Sequence, residues 1–280
     1  MEPGVIPSIE TIPQEVVRRL IGVFFDIDDT FTTRGKIPAA SFDALWKLKD
    51  AGIKLVPITG RPGGWCDHIV RMWPVDGVVG ENGAFYFWMD EHEGKLKKRF
   101  LDPEDVRKKN RGRLGGIRDE ILSAVPGCAV ASDQSYRETD LAIDFREDVT
   151  PLGWDDIEKI CRIFQKHGAQ FKVSSIHVNG WFGGHDKLST TRVFVRERWG
   201  MDLDSVRDRF FFCGDSPNDE PMFSYFPHTA GVRNVLLFAG RMKHLPAFIA
   251  DSEGGEGFAE IAVILARHGQ QTLGRREEDQ

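Results

Sequence analysis

The sequence predicts an α/β fold, a doubly wound Rossmann-like parallel sheet core with an inserted α+β cap domain. At both ends of the chain, apolar β-rich runs alternate with single helical segments, whereas in the middle pairs of strands lie between helices. Strands that alternate with single helices indicate βαβ units and a parallel sheet. The 280 residues fit two domains, at roughly 150 residues per domain. We therefore expect a core over residues 1–82 and 183–280 and an inserted domain over residues 83–182.

The first part of the predicted core alternates strands with a helix. Residues 21–27 (IGVFFDI) form a continuous apolar run, which is typical of a strand buried on both faces. Residues 41–52 space their apolar side chains helically, with Ser41 as an N-terminal cap and a glycine at the end. Residues 53–60 predict a second strand, and residues 75–83 contain a third short one.

The predicted insert begins with a hairpin over residues 84–101 that turns near Gly94, followed by a helix over residues 103–125. Next come two strands over residues 128–133 and 140–146, one amphipathic helix over residues 154–168, and two more strands over residues 169–175 and 176–182. Paired strands separated by single helices indicate a small α+β module.

The first pattern returns after the insert. Residues 187–200 predict a helix, residues 208–215 (DRFFFCGD) a buried strand, and residues 257–269 a closing helix. Residues 228–236 and 247–251 have the character of short edge strands or loops.

Composition excludes several classes of partner. The net charge of −6 argues against general nucleic-acid binding. Between Lys95 and Arg118 there are ten Lys/Arg against three Asp/Glu, which we interpret as a solvated helix face, with attraction of anionic substrates as the alternative. The four cysteines have no metal or disulfide-framework spacing. Residues 1–17 lack the pattern of a secretory signal, and no apolar run approaches the roughly 20 residues of a membrane span, so we expect a cytoplasmic protein without a membrane partner.

Four polar clusters follow predicted core strands or begin a helix. They are DIDDT (26–30), ITGRP (58–62), HDK (185–187) and GDSPND (214–219). In open α/β sheets, ligands bind beyond the carboxyl ends of the strands. We therefore expect the four clusters to converge on one site.

The carboxylates in these clusters indicate a metal site. Asp26 and Asp28 are spaced two residues apart, so a continuing strand would direct them to the same side. Asp215 and Asp219 add two more carboxylates. Four neighbouring carboxylates repel one another, and a hard divalent cation with oxygen ligands relieves that repulsion, with Mg²⁺ the usual ion beside phosphate.

Two further side chains suit an anionic ligand. Thr59 can donate a hydroxyl hydrogen bond, and Lys187 can supply a positive charge to a group held by the metal. Together with the carboxylates they suit phosphoryl transfer, in which positioning and charge neutralisation do most of the catalysis.

FFDIDDT, ITGRP, the lone Lys187 and GDSPND resemble the four motifs of the haloacid dehalogenase superfamily, in the family's order over residues 24–219. The insert resembles the type-two cap of Cof-like phosphatases and of sucrose-phosphate, trehalose-phosphate and mannosyl-phosphoglycerate phosphatases. GENGAFYF (80–87) resembles the hinge by which those proteins enter the cap. The chain departs from the pattern at Asp29, where many relatives have glycine and where we expect a solvated or capping acid, and in HDKLST, which lacks the common lysine–glycine pair.

The resemblance implies a role for each motif residue. Asp26 would be the nucleophile that forms an aspartyl-phosphate, and Asp28 the general acid and then the base. The implied substrate-binding residues are Thr59, Gly60, Arg61 and Lys187, of which Arg61 could alternatively form a structural salt bridge. The implied Mg²⁺ ligands are Asp26, Asp28 through its main-chain carbonyl, and Asp215, supported by Asn218 and Asp219.

The motifs therefore predict a Mg²⁺-dependent phosphatase for a small phosphorylated metabolite, with a sugar phosphate as the expected substrate. Two alternatives stay open, a sugar phosphomutase on the same core and a phospho-acceptor signalling module. Release of inorganic phosphate distinguishes a phosphatase from a mutase, and the lifetime of the phosphoenzyme distinguishes an enzyme from a signalling module. No motif marks the substrate, the cap residues that set specificity or the oligomeric state.

Overall fold

The computed structural model describes residues 6–278, the last eleven of them by backbone alone. Its strands are β1 (Gly22–Phe25), β2 (Lys54–Pro57), β3 (Val78–Gly80), β4 (Phe85–Asp90), β5 (Lys95–Phe100), β6 (Ala129–Val130), β7 (Leu141–Asp144), β8 (Gln170–Val173), β9 (His177–Trp181), β10 (Phe210–Gly214), β11 (Thr229–Gly231) and β12 (Phe248–Ile249). Its α-helices are α1 (Gln14–Arg19), α2 (Ala39–Asp50), α3 (Gly63–Met72), α4 (Glu104–Ala124), α5 (Trp154–Lys166), α6 (Lys187–Trp199), α7 (Leu203–Val206), α8 (Glu220–Tyr225) and α9 (Gly254–Glu278). No helix within this part of the chain has the length and apolarity needed to cross a membrane.

A five-stranded parallel sheet forms the core, in the order β12-β11-β10-β1-β2. The central strands β1 and β10 are buried along their whole length, which explains why their sequences are unbroken apolar runs. The short strand β3 continues beside β2 through a parallel bridge between Ile58 and Val79. The predicted parallel α/β core is confirmed.

Helices cover both faces of this sheet. Phe25 packs on one face with residues of α2 and α9, and its ring centroid lies 5.1 Å from that of Phe258. Phe24 packs on the other face with residues of α6 and α8, and it stacks on Phe210 at 5.0 Å. Adjacent residues of β1 are buried on opposite faces of the sheet, so the packing fixes the face to which each side chain of the strand points. The first polar cluster begins at the residue after the strand.

The middle of the chain forms two antiparallel sheets. The hairpin β4–β5 turns at Gly94, as predicted, and pairs with β3, so it extends the edge of the core. Strands β6-β7-β9-β8 form a separate sheet that packs against α4 and α5. We call residues 104–181 the inserted unit. The division into a core and an insert over residues 83–182 stays a prediction.

One predicted local signal is wrong. Helix α2 begins at Ala39. The residue before it is Pro38, whose side chain forms no capping hydrogen bond. Ser41 lies inside the first turn and is fully buried, so it cannot be the cap. Pro38 lies in extended backbone immediately before the helix, a position where its fixed φ and missing N–H cost little.

A turn at Glu81 links the core to the inserted unit. Glu81 has a φ of 44°, in the left-handed region, so the chain bends sharply between β3 and β4. The buried carboxylate accepts hydrogen bonds from the N–H of Gly63 at 3.0 Å and from the N–H groups of Glu138 and Thr139 at 2.8 and 2.7 Å. One side chain therefore joins the start of α3 to a loop of the inserted unit. Burial, followed by the negative charge of Asp140, raises the pKa of Glu81 to about 7.

The raised pKa of Glu81 predicts a pH dependence of stability. Its pKa in the folded protein lies above the ordinary value of 4.5, so the folded state binds this proton more readily than the unfolded chain. The contribution of Glu81 to the free energy of unfolding therefore increases as the pH falls from about 7 to about 5 and is lost as the pH rises again. Urea unfolding across this range should show a flatter profile for Glu81→Gln than for the wild type. The exposed Glu10→Gln is the control, and equal slopes for all three proteins would contradict the prediction.

Candidate active site

A cluster of buried charges lies at the carboxyl ends of the paired strands β1 and β10. Asp26 follows β1 directly, and Asp215 follows β10 directly. Lys187 is the first residue of α6, and its Nζ lies 3.0 Å from Asp26 Oδ1 and 2.7 Å from Asp219 Oδ1. All four side chains are buried. The structure therefore brings together residues from the first, third and fourth predicted clusters.

The start of α6 fixes the position of Lys187. The side chain of Asp186 accepts a hydrogen bond from the N–H of Ser189 at 2.6 Å. The side chain of Ser189 in turn accepts a hydrogen bond from the N–H of Asp186, which completes a capping box. Gly83, with a φ of 106°, packs against the main chain of Asp186 so closely that a Cβ there would lie 2.1 Å from the Asp186 carbonyl oxygen. HDKLST is thus a helix-start motif that presents a lysine in the first turn.

Three carboxylates stand close enough to share a cation. Oxygens of Asp26, Asp215 and Asp219 all lie within 4.8 Å of one another. The second oxygen of Asp219 accepts the N–H of Asp215 at 3.0 Å, and Asp215 Oδ1 accepts the hydroxyl of Thr30 at 2.9 Å. These hydrogen bonds hold the carboxylates in place, and an all-oxygen set of this kind suits a hard divalent ion such as Mg²⁺.

The electrostatics of the cluster favour a further cation. Burial raises the pKa of Asp26 to about 8, although Lys187 acts in the opposite direction. Burial, followed by the charge of Asp219, raises the pKa of Asp215 well above its usual range. Burial lowers the pKa of Lys187, but Asp219 and Asp26 outweigh it and hold that pKa above its usual range. One ammonium group does not balance three buried carboxylates, and a divalent cation would restore their ionised forms.

Asn234 supports Asp215 and was missed by the sequence analysis. Its Nδ2 donates to Asp215 Oδ2 at 3.0 Å and to the carbonyl oxygen of Asp29 at 2.9 Å. Its Oδ1 accepts the N–H of Gly254, the first residue of α9, at 3.0 Å. The available signal was its position three residues after the core strand β11, at the same edge of the sheet as the other clusters.

Asp28 is held by Arg61. The Nε of Arg61 lies 2.9 Å from both oxygens of Asp28, and its Nη2 lies 2.7 Å from Oδ1. The same guanidinium donates to Glu147 of the inserted unit at 2.6 Å and to Asp133 at 3.4 Å. Its carbon lies 4.4 Å from the centroid of the Trp65 ring. In this structure Arg61 therefore joins the first and second clusters to the inserted unit.

Glu147 continues this network. Its Oε2 lies 3.0 Å from the Nε2 of the buried His177 on β9. Burial raises the pKa of Glu147, but His177 and Arg61 outweigh it and lower that pKa to about 2. The contact between the core and the inserted unit therefore includes an ionised carboxylate with two cationic or polar partners.

The other second-cluster residues lie in the loop after β2. The hydroxyl of the buried Thr59 accepts the N–H of Arg61 at 3.0 Å, and the carbonyl oxygen of Gly60 accepts a hydrogen bond from Arg137 at 2.9 Å. In the fourth cluster, the buried Asn218 accepts the hydroxyl of Ser216 at 2.8 Å. The roles that the sequence predicts for Thr59, Gly60 and Asn218 stay predictions.

Comparison with known proteins agrees with the motifs and the fold. The family model of haloacid dehalogenase-like hydrolases matches residues 23–109. No curated protein sequence matches the chain.

Solved structures extend the likeness over most of the chain. The C-terminal domain of trehalose-6-phosphate phosphatase from C. albicans is similar at a TM-score of 0.67 and 15% identity, over 93% of this chain and 98% of that one. Thermoplasma acidophilum 0175 is similar at 0.64 and 18%, over 88% and 98%. The sucrose-phosphatase of Synechocystis sp. PCC6803, solved with sucrose and phosphate, is similar at 0.60 and 17%, over 88% and 98%. At these identities the likeness shows a shared fold.

The predicted resemblance is thus confirmed by the family match over residues 23–109, which contain the first two motifs, and by a fold shared over most of the chain. Residues 23–109 are thus similar to the haloacid dehalogenase-like hydrolases, and most of the chain shares the fold of the sucrose-phosphatase and of the trehalose-6-phosphate phosphatase domain.

Proposed function

We propose that the protein is a Mg²⁺-dependent phosphatase that hydrolyses a small phosphorylated metabolite of the sugar-phosphate class through an aspartyl-phosphate. The observation that carries this proposal is the buried Asp26 at the end of β1, paired with Lys187 and grouped with two further carboxylates. The sucrose-phosphatase and trehalose-6-phosphate phosphatase that share the fold support the substrate class.

In the first step a carboxylate oxygen of Asp26 attacks phosphorus, and the bond between phosphorus and the alcohol oxygen breaks. Asp28 gives its proton to that oxygen, so the alcohol leaves neutral. Lys187, 3.0 Å from Asp26, offsets negative charge beside the phosphoryl group. Thr59, Gly60 and Arg61 contact the substrate, and Arg61 also keeps Asp28 in place.

In the second step water attacks the phosphorus of the aspartyl-phosphate. Asp28, now a carboxylate, takes a proton from that water, and the acyl–phosphate bond breaks to release inorganic phosphate and free Asp26. Transfer to water rather than to a second sugar separates this reaction from that of a mutase.

The metal site that we propose contains Asp26, the main-chain carbonyl of Asp28, and Asp215, with Asn218 and Asp219 in support. The buried carboxylates with raised pKa values at Asp26 and Asp215 fit a divalent cation. Mg²⁺ bound there would neutralise charge on the phosphoryl oxygens. We further propose that residues 83–182 act as a cap over this site, and a cytoplasmic location stays a prediction.

Replacing the nucleophile tests the chemistry. Asp26→Asn keeps the size of the side chain but removes the attacking carboxylate, so we expect phosphate release from a panel of sugar phosphates with Mg²⁺ to fall by more than about 1000-fold. The exposed Asp43→Asn on α2 is the control. Undiminished hydrolysis by Asp26→Asn would refute the mechanism, and dependence on a sugar bisphosphate without phosphate release would indicate a mutase.

Asn234 provides a test of the metal site that needs no substrate. Asn234→Ala removes the hydrogen bond to Asp215 Oδ2, and the loss of such a supporting contact lowers metal affinity by roughly 10- to 100-fold. Calorimetric titration with Mg²⁺ measures the change. Asn110→Ala on α4, a helix that supplies none of the proposed ligands, should leave the affinity unchanged. Equal affinity in the Asn234 variant would exclude this support role.

A further inference from the structure

Two buried carboxamides meet at the loop after β2, one from each side of the contact between the core and the inserted unit. Asn82 belongs to the turn between β3 and β4, and Asn179 lies on β9. A Cβ built on Gly60 would lie 3.2 Å from Asn82 Nδ2 and 3.6 Å from Asn179 Oδ1, so both amides face this glycine. Thr59 and Gly60 are among the proposed substrate-binding residues, and the two amides therefore lie beside the proposed phosphoryl site.

The amide of Asn82 has no hydrogen-bond partner. The residue is 1% exposed, and among the described residues neither its Nδ2 nor its Oδ1 forms a hydrogen bond. Burial of a polar group without a partner is unfavourable, and this one side chain leaves both a donor and an acceptor unpaired. A ligand that both donates and accepts would satisfy the two atoms.

The turn that carries Asn82 is held from three directions. The N–H of Asn82 donates to the carbonyl oxygen of Thr59 at 3.0 Å. Gly83 packs against the main chain of Asp186 at the start of α6, and the carboxylate of Glu81 binds N–H groups of α3 and of the inserted unit. Asn82 has a φ of 53°, a left-handed conformation that asparagine tolerates better than most residues. The backbone at Asn82 is therefore in place before a ligand binds.

Asn179 is positioned by the inserted unit. Its Nδ2 donates to Asp140 Oδ2 at 2.8 Å, and the same oxygen accepts a hydrogen bond from Arg137 at 3.1 Å. Arg137 also donates to the carbonyl oxygen of Gly60 at 2.9 Å. Val178 packs in the apolar cluster with α4 and α5, so the alternation of side chains along β9 turns Asn179 toward the core.

The two amides match a hydroxyl group better than an anion. A phosphoryl or carboxylate group only accepts hydrogen bonds, and here it would meet the Oδ1 atoms of both Asn82 and Asn179. A hydroxyl group donates to one amide oxygen and accepts from the Nδ2 of Asn82. The alcohol part of a sugar or polyol phosphate carries such hydroxyl groups close to its phosphate.

We propose that Asn82 and Asn179 bind hydroxyl groups of the alcohol part of the substrate and so determine specificity for sugar or polyol phosphates. This inference rests on the proposed phosphatase function and deepens it, because it assigns the residues that recognise the leaving alcohol. Both amide atoms of Asn82 are shielded from solvent, so the ligand reaches them when the inserted unit moves away from the core and is enclosed when it returns. An ester without hydroxyl groups is rejected because it leaves the buried amides unpaired.

Matched esters test the proposal. Glucose 6-phosphate, mannose 6-phosphate and cyclohexylmethyl phosphate each join a six-membered ring to phosphate through one methylene group, but only the two sugars carry hydroxyl groups. With Mg²⁺ present, we expect the wild-type enzyme to hydrolyse the better of the two sugar phosphates with a kcat/KM at least about 10-fold above that for cyclohexylmethyl phosphate, the gain from one well-formed hydrogen bond.

Two variants separate recognition from structure. Asn82→Gly suits the left-handed backbone, and Asn179→Ala leaves Asp140 paired with Arg137. Each should lower kcat/KM for the sugar phosphate about 10-fold more than kcat/KM for cyclohexylmethyl phosphate. Arg34→Gly, at an exposed residue with a φ of 51°, is the control and should keep the wild-type preference.

The remaining outcomes contradict the proposal. Equal kcat/KM values of the wild-type enzyme for the sugar phosphates and for cyclohexylmethyl phosphate would overturn it. Variants that lose kcat/KM equally on both kinds of ester would indicate a structural or phosphoryl-binding role, and variants that keep the wild-type preference would exclude contact with the alcohol. If the wild-type enzyme releases phosphate neither from these esters nor from the sugar-phosphate panel, the proposed phosphatase function fails, and this inference fails with it.

Discussion

The ion pairs of Lys187 with Asp26 and Asp219 are the interaction on which the rest of the site depends. Buried carboxylates at the ends of neighbouring strands would repel one another, and removal of the one ammonium would leave their charges uncompensated. The capping box at Asp186 fixes where α6 begins, and thereby fixes the ammonium between the two carboxylates. The site is thus stable enough to form, yet it keeps an excess of negative charge that a divalent cation can neutralise.

A second set of charges ties the inserted unit to the core. Arg61 binds Asp28 on one side and Glu147 on the other, while Glu81 holds the loop at Thr139. Buried pairs of this kind contribute less to net stability than to a defined geometry, because desolvation offsets much of their attraction. Arg61 binds both the proposed acid–base residue Asp28 and the inserted unit, so the position of Asp28 is linked to that of the inserted unit.

Sequence patterns predicted the elements well wherever the pattern was long. The apolar runs gave β1 and β10, and the helical spacing before the last core strands gave α6 with Lys187 at its start. Local signals were less reliable. Ser41 has the character of a cap, but Pro38 takes the flanking position and Ser41 is fully buried. Asn234 escaped notice because it stands alone in a short segment, and only the order of the strands places it beside Asp215.

The sequence by itself determined the parallel core and the four polar clusters, since each depends on periodicity or on residues close together in the chain. Tertiary structure alone decided which charged side chains pair with one another. Arg61 could equally have met a substrate or a salt bridge, and its contact with Glu147 exists because the inserted unit folds back over the core. Charges distant in sequence act on one another through space, and their distances are set by packing, which no local pattern encodes.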